Sequence, residues 1–67
     1  MSEWTGEGWY RIGWSDGGMD WTNNGPIWFD CERDFDYEMY VVNEHSTETH
    51  LPYVEYMGDD DEPKEQQ

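Results

Sequence analysis

Apolar and polar side chains alternate in short runs along most of this chain, the period of an extended strand rather than a helix. Tyr10, Ile12 and Trp14 share one face of a first predicted strand, with Trp9, Arg11 and Gly13 on the other, until Gly17 and Gly18 break the pattern. Met19 to Thr22 predicts a second strand. Asn23-Asn24-Gly25-Pro26 supplies residues that tolerate positive φ, so a hairpin turn is expected before a third strand opens at Ile27. There Ile27, Phe29 and Cys31 face one way while Trp28, Asp30 and Glu32 face the other. From Phe35 to Asn43 the set Phe35, Tyr37, Met39 and Val41 alternates with Asp36, Glu38, Tyr40 and Val42, which predicts a half-buried antiparallel strand.

Residues 43 to 50 hold no apolar side chain and read as a loop. A last strand is expected over Leu51 to Met57. Pro52 cannot donate to a ladder and belongs at a strand start or a sheet edge. Gly58 closes the domain, 1–58, and the purely polar stretch 59–67 is expected to be a disordered acidic tail. The fold class predicted is all-β: a small antiparallel sheet of four or five strands, or a half-open barrel curled from one.

Composition supports a folded chain against a contrary signal. Valine, isoleucine, leucine and phenylalanine together number eight in 67 residues, a scarcity that with high net charge usually marks disorder. Five tryptophans and five tyrosines outweigh it, because each buries far more area than a valine. An aromatic core follows, with Trp14 and Trp21 expected inside it and Trp4, Trp9 and Trp28 left as binding candidates. Alanine is absent and leucine occurs once, which speaks against a helical bundle. Cys31 is the sole cysteine, so no internal disulfide staples the chain and a reducing cytoplasm is the expected compartment. No basic start with an apolar run, and no apolar stretch near 20 residues, points to secretion or to a membrane.

Enzymatic constellations fail one by one. Ser2, Ser15 and Ser46 are the only serines and none sits in a nucleophile elbow. Gly6-Glu7-Gly8 starts like a dinucleotide fingerprint, but Arg11 stands where the last glycine belongs. An EF-hand starting at Asp30 needs glycine at position 35 and glutamate at 41, where the chain has Phe35 and Val41. His45, His50 and Cys31 are too irregularly spaced to specify zinc. No enzyme, cofactor or metal site is expected.

Charge is the remaining clue. Seventeen acids meet three bases, a formal net charge of −14. Such a chain is repelled by nucleic acid and by anionic lipid, so its expected partner is a basic protein surface. On an extended strand Asp30, Glu32, Asp34, Asp36 and Glu38 would form one row about 6.6 Å apart, similar in period to backbone phosphates. In size and charge the chain resembles the small acidic inhibitors that viruses and mobile elements use against restriction, repair or CRISPR-type defence enzymes. That resemblance implies a phosphate mimic acting in a host cytoplasm on a DNA- or RNA-handling protein. The expected contacts are the five acids with Trp28, Tyr40 and Trp9. Two rivals explain the same composition: an adaptor whose aromatic surface binds a partner while the acids only solubilise it, and a halophilic domain that needs molar salt to fold. A second copy of the chain is a further candidate partner, since pairing would enlarge a small core.

Overall fold

The computed structural model describes residues 4–60. It contains four elements: β1 (Gly8–Trp14), β2 (Ile27–Phe29), α1 (Glu32–Glu44) and β3 (Pro52–Tyr56). The strands form one antiparallel sheet in the order β2-β1-β3. β1 pairs with β2 through Gly8↔Phe29, Trp9↔Trp28 and Tyr10↔Ile27, and with β3 from Tyr10↔Tyr56 to Trp14↔Pro52. β2 and β3 therefore run parallel on either side of β1, and α1 is the crossover between them. The molecule is a thin two-layer slab, 34 × 31 × 15 Å, with the helix on one face of the sheet.

Alternation along β1 is what the sequence predicts. Tyr10, Ile12 and Trp14 are buried toward the helix, while Trp9 and Arg11 lie on the open face. The tyrosine is the hub of the core. Its ring lies 4.9 Å from Phe35 and 5.7 Å from Phe29, and Trp4 stacks on it at 5.5 Å. Its hydroxyl accepts the N–H groups of Thr5 and Gly6 and donates to the Gly6 carbonyl at 2.6 Å, so the buried oxygen is satisfied and the entry segment is tied down. A second cluster joins Ile12, Trp14 and Val42, with Met39 and Val54 packed against both.

Three expectations are corrected. Among the described residues the sheet has three strands rather than four or five, it does not curl into a barrel, and one helix covers it. The segment Phe35 to Asn43 is helical. Val42 is fully buried and Tyr37 is 69% exposed, the reverse of what two-residue alternation requires. Phe35, Met39 and Val42 instead follow a spacing of four and three, one stripe of a helix. Tyrosine and valine suit strands by propensity, but burial of that stripe on the sheet outweighs it. Glu32 and Asp34 in the first turn match the positive end of the helix dipole, and the His45 and Ser46 amides close the last turn onto the Val42 and Asn43 carbonyls.

Met19 to Thr22 is likewise no strand; residues 21 to 24 form a turn. β1 and β2 are therefore joined by a wide excursion in place of a tight hairpin. Thr22 partly does the work of a strand residue: its amide donates to the Ile12 carbonyl at 3.3 Å, and its hydroxyl accepts the Ile12 N–H at 3.2 Å. Trp14 is buried and Trp21 is half-buried against the second cluster, as expected. Trp4 packs on the core, so it is not a free anchor. Pro52 opens an edge strand, where its missing N–H costs nothing.

At the start of β1, Gly8 has φ +154° and a side chain there would stand 2.6 Å from the Gly58 carbonyl oxygen, so glycine is required for the chain to pass. Of the expected acidic tail, Asp59 and Asp60 are described, and the Asp60 carbonyl accepts the Trp9 indole N–H at 2.9 Å. The remainder lies outside the described residues. Among the described residues no helix is long and apolar enough to cross a membrane.

The helical assignment gives a sharp contrast between neighbours that the strand reading places on one face. Phe35→Ala is expected to cost about 3–5 kcal/mol, a large part of the roughly 3–10 kcal/mol total stability of a chain this size. Tyr37→Ala, on the exposed side, should change stability by less than about 0.5 kcal/mol. Urea unfolding of the two variants checks this, and equal losses would refute it.

Candidate functional site

Helical geometry redistributes the acids. Glu32 and Asp36 lie four residues apart on one stripe of α1, with Tyr40 beyond Asp36. Asp34 and Glu38 lie on a second stripe. Within each pair the carboxylates are one turn apart, about 6 Å along the axis. Asp30 precedes the helix and is exposed. The single five-residue row is thus replaced by two pairs on different sides of a rod, with the fifth acid at its foot. Like charges so placed repel, so this arrangement weakens the isolated helix by a few tenths of a kcal/mol per pair.

The second stripe borders a groove of about 540 Å³ beside β2, lined by Trp28, Phe29, Arg33, Asp34, Tyr37 and Glu38. Phe29 forms its floor, being buried against Phe35. The Trp21 indole donates to Glu38 Oε2 at 2.8 Å and so fixes that carboxylate's orientation. Of the predicted contacts, the structure brings Trp28, Asp34 and Glu38 together here. Glu32, Asp36 and Tyr40 lie on the opposite flank of the helix, across the buried stripe. Trp9 is on the sheet's open face, where its ring meets that of Trp28 at 5.3 Å edge-on.

Sequence reasoning missed Tyr37 and Arg33 as parts of this surface. Alternation turned Tyr37 inward. A helical reading puts Asp34, Tyr37, Glu38 and Val41 on one side, and that spacing was the available signal.

Arg11 and Arg33 are the Lys or Arg side chains among the described residues, and one of the two is committed. Arg11 pairs with Asp20 at 2.8 Å and Glu55 at 2.9 Å, and its guanidinium lies 5.9 Å from the Tyr53 ring centre. Partly exposed pairs of this kind stabilise by about 0–1 kcal/mol each, so their main consequence is electrostatic: they remove a base from play. Arg33 forms no ion pair among the described residues and stands on the groove rim.

Among the described residues, metal-ligating types gather once. Oxygen and sulfur atoms of Asp30, Cys31 and Asp34 lie within 4.8 Å of one another at the foot of α1. Two carboxylates suit a hard cation and a thiolate suits a soft one, so the set specifies neither.

At the other end of the sheet His50 stacks on Trp14, 3.9 Å between centroids, and its Nδ1 lies 2.8 Å from Asp16 Oδ2. The hydrogen bond with His50, then the backbone amide of Gly18, hold the Asp16 carboxyl below the usual carboxylate range. A depressed folded-state value means that this contribution to stability is present above the ordinary carboxylate range and is lost as pH falls through the depressed value. Following the Asp16 carboxyl carbon by NMR should show a midpoint below the ordinary range. His50→Ala should return it toward that range, and an unchanged midpoint would contradict the assignment. Comparisons with known protein families, with curated proteins and with solved structures find no match to this chain.

Proposed function

We propose that this protein is a non-enzymatic acidic inhibitor that covers the basic nucleic-acid-binding surface of a restriction, repair or CRISPR-type protein, and presents α1 to it. The observation that carries this reading is the coupling of two carboxylate pairs on α1 to exposed aromatic surface at Trp28, Tyr37 and Tyr40, in a chain of net charge −14. Acids alone keep a protein soluble; acids beside exposed rings supply both charge and an anchor.

A nucleic-acid channel presents Arg and Lys arranged for phosphates. Carboxylates on a short, packed helix meet such groups by charge-assisted hydrogen bonds, and the net charge steers encounter at high rate. Phosphate mimicry here does not depend on an extended row: each i, i+4 pair offers two anionic sites at a separation of similar size. A viral or mobile-element source and action in the host cytoplasm fit this reading.

The aromatic-adaptor alternative is favoured by one observation, the open sheet face with its Trp9–Trp28 pair and exposed Tyr53. A pull-down from cell extract on the immobilised protein separates the two. The inhibitor reading expects a DNA- or RNA-handling protein that is released by salt and competed off by duplex DNA or guide RNA. A salt-resistant partner indifferent to nucleic acid would overturn it in favour of the adaptor.

A further inference from the structure

The direction of the backbone groups along β1 can be read from its hydrogen bonds. The Trp9 amide donates to the Gly58 carbonyl and the Trp9 carbonyl accepts from Met57, both on the β3 side, and the Ser15 amide likewise donates to Leu51. Odd-numbered residues of β1 thus point their N–H and C=O groups toward β3. Even-numbered residues point toward β2, as the exchange between Ile12 and Thr22 shows. In an antiparallel ladder the two kinds alternate, so Gly8↔Phe29 and Tyr10↔Ile27 are the hydrogen-bonded pairs and Trp9↔Trp28 is not. The Trp28 N–H and C=O must then point away from β1, over the free edge of the sheet. The close Trp9–Trp28 ring contact agrees, since side chains approach most closely in non-hydrogen-bonded pairs.

That free edge opens onto the groove beneath the second acidic stripe of α1. We infer that the groove receives an extended, arginine-bearing segment of a basic protein partner, added as a fourth strand beside β2. Trp28 would supply one donor and one acceptor to the incoming backbone. Side chains of such a segment alternate, so every second one meets α1. Asp34 and Glu38 against Arg33 leave the lining with net negative charge, which selects a cationic side chain there. Glu38, already oriented by Trp21, and the exposed Tyr37 ring favour a guanidinium, which pairs with carboxylates and stacks on rings, over a lysine ammonium. β2 is three residues long, so an edge this short does not invite indiscriminate strand pairing; the acids add the selectivity.

The inference rests on the proposed function only for the source of the segment, and it is tested with defined peptides. A seven-residue peptide alternating threonine and arginine is compared with the same peptide N-methylated on its central amides, which keeps the charge but removes strand pairing. The unmodified peptide should bind at least about tenfold more tightly and slow hydrogen exchange of the Trp28 amide by a similar factor. Tyr37→Ala should lower affinity about threefold with the fold intact. Equal binding of the two peptides with no protection of Trp28 would overturn strand addition while leaving the acidic-inhibitor reading standing. Failure of both peptides to bind would overturn the groove as a site for basic segments, and the pull-down decides the inhibitor reading separately.

Discussion

Contact of the Phe35 ring with Tyr10 and Phe29 is the constraint from which the surface of this protein follows. The sheet offers few buried side chains, and its helix has no side-chain hydrogen bond from the N-cap residue Cys31 and no basic residue in its last turn. It is held mainly by what it buries. With Phe35 seated at one end and Val42 at the other, the rotation of α1 about its axis is set. That rotation decides which carboxylates overhang β2, which face solvent, and why Glu38 reaches the Trp21 indole.

An aromatic core suits so short a chain. Large rings bury much area per residue, and the hub tyrosine brings its own polar anchor for the entry segment. The arrangement also leaves room for like charge. Acids in the first turn of α1 are favourable to the helix dipole, whereas the i, i+4 pairs repel. On the proposed function, binding to a cationic surface relieves the repulsion that folding tolerates.

How much of this was legible depended on whether one periodicity could be told from another. β1 was legible because its two faces differ: Tyr10, Ile12 and Trp14 inside, Trp9 and Arg11 outside. β3 was legible from Pro52 and the clear end at Gly58. The helix was not, because Phe35 and Met39 are separated by four residues, a spacing shared by strand and helix. Tyr37 separates the two, inward on a strand and exposed on the helix, but the adjacent Val41 and Val42 satisfy either. The acids misled for the same reason, since residues at every second position make a row on a strand and two stripes on a helix. Met19 to Thr22 failed differently: Thr22 makes ladder-like hydrogen bonds to Ile12, but residues 21 to 24 turn, so no strand forms. Trp28, Asp34 and Glu38 were recognised as surface residues without any signal that they border one groove.

On the proposed function, the position of the acids on α1 matters, beyond their number. It is tested most directly by two variants of equal net charge assayed against the salt-released partner. Glu32→Lys with Asp36→Lys reverses one stripe of the helix. Glu48→Lys with Asp59→Lys reverses two exposed acids elsewhere. The helical pair should weaken binding at least about tenfold more than the control pair. Equal loss from both would mean that total charge alone governs association, and would contradict that proposal.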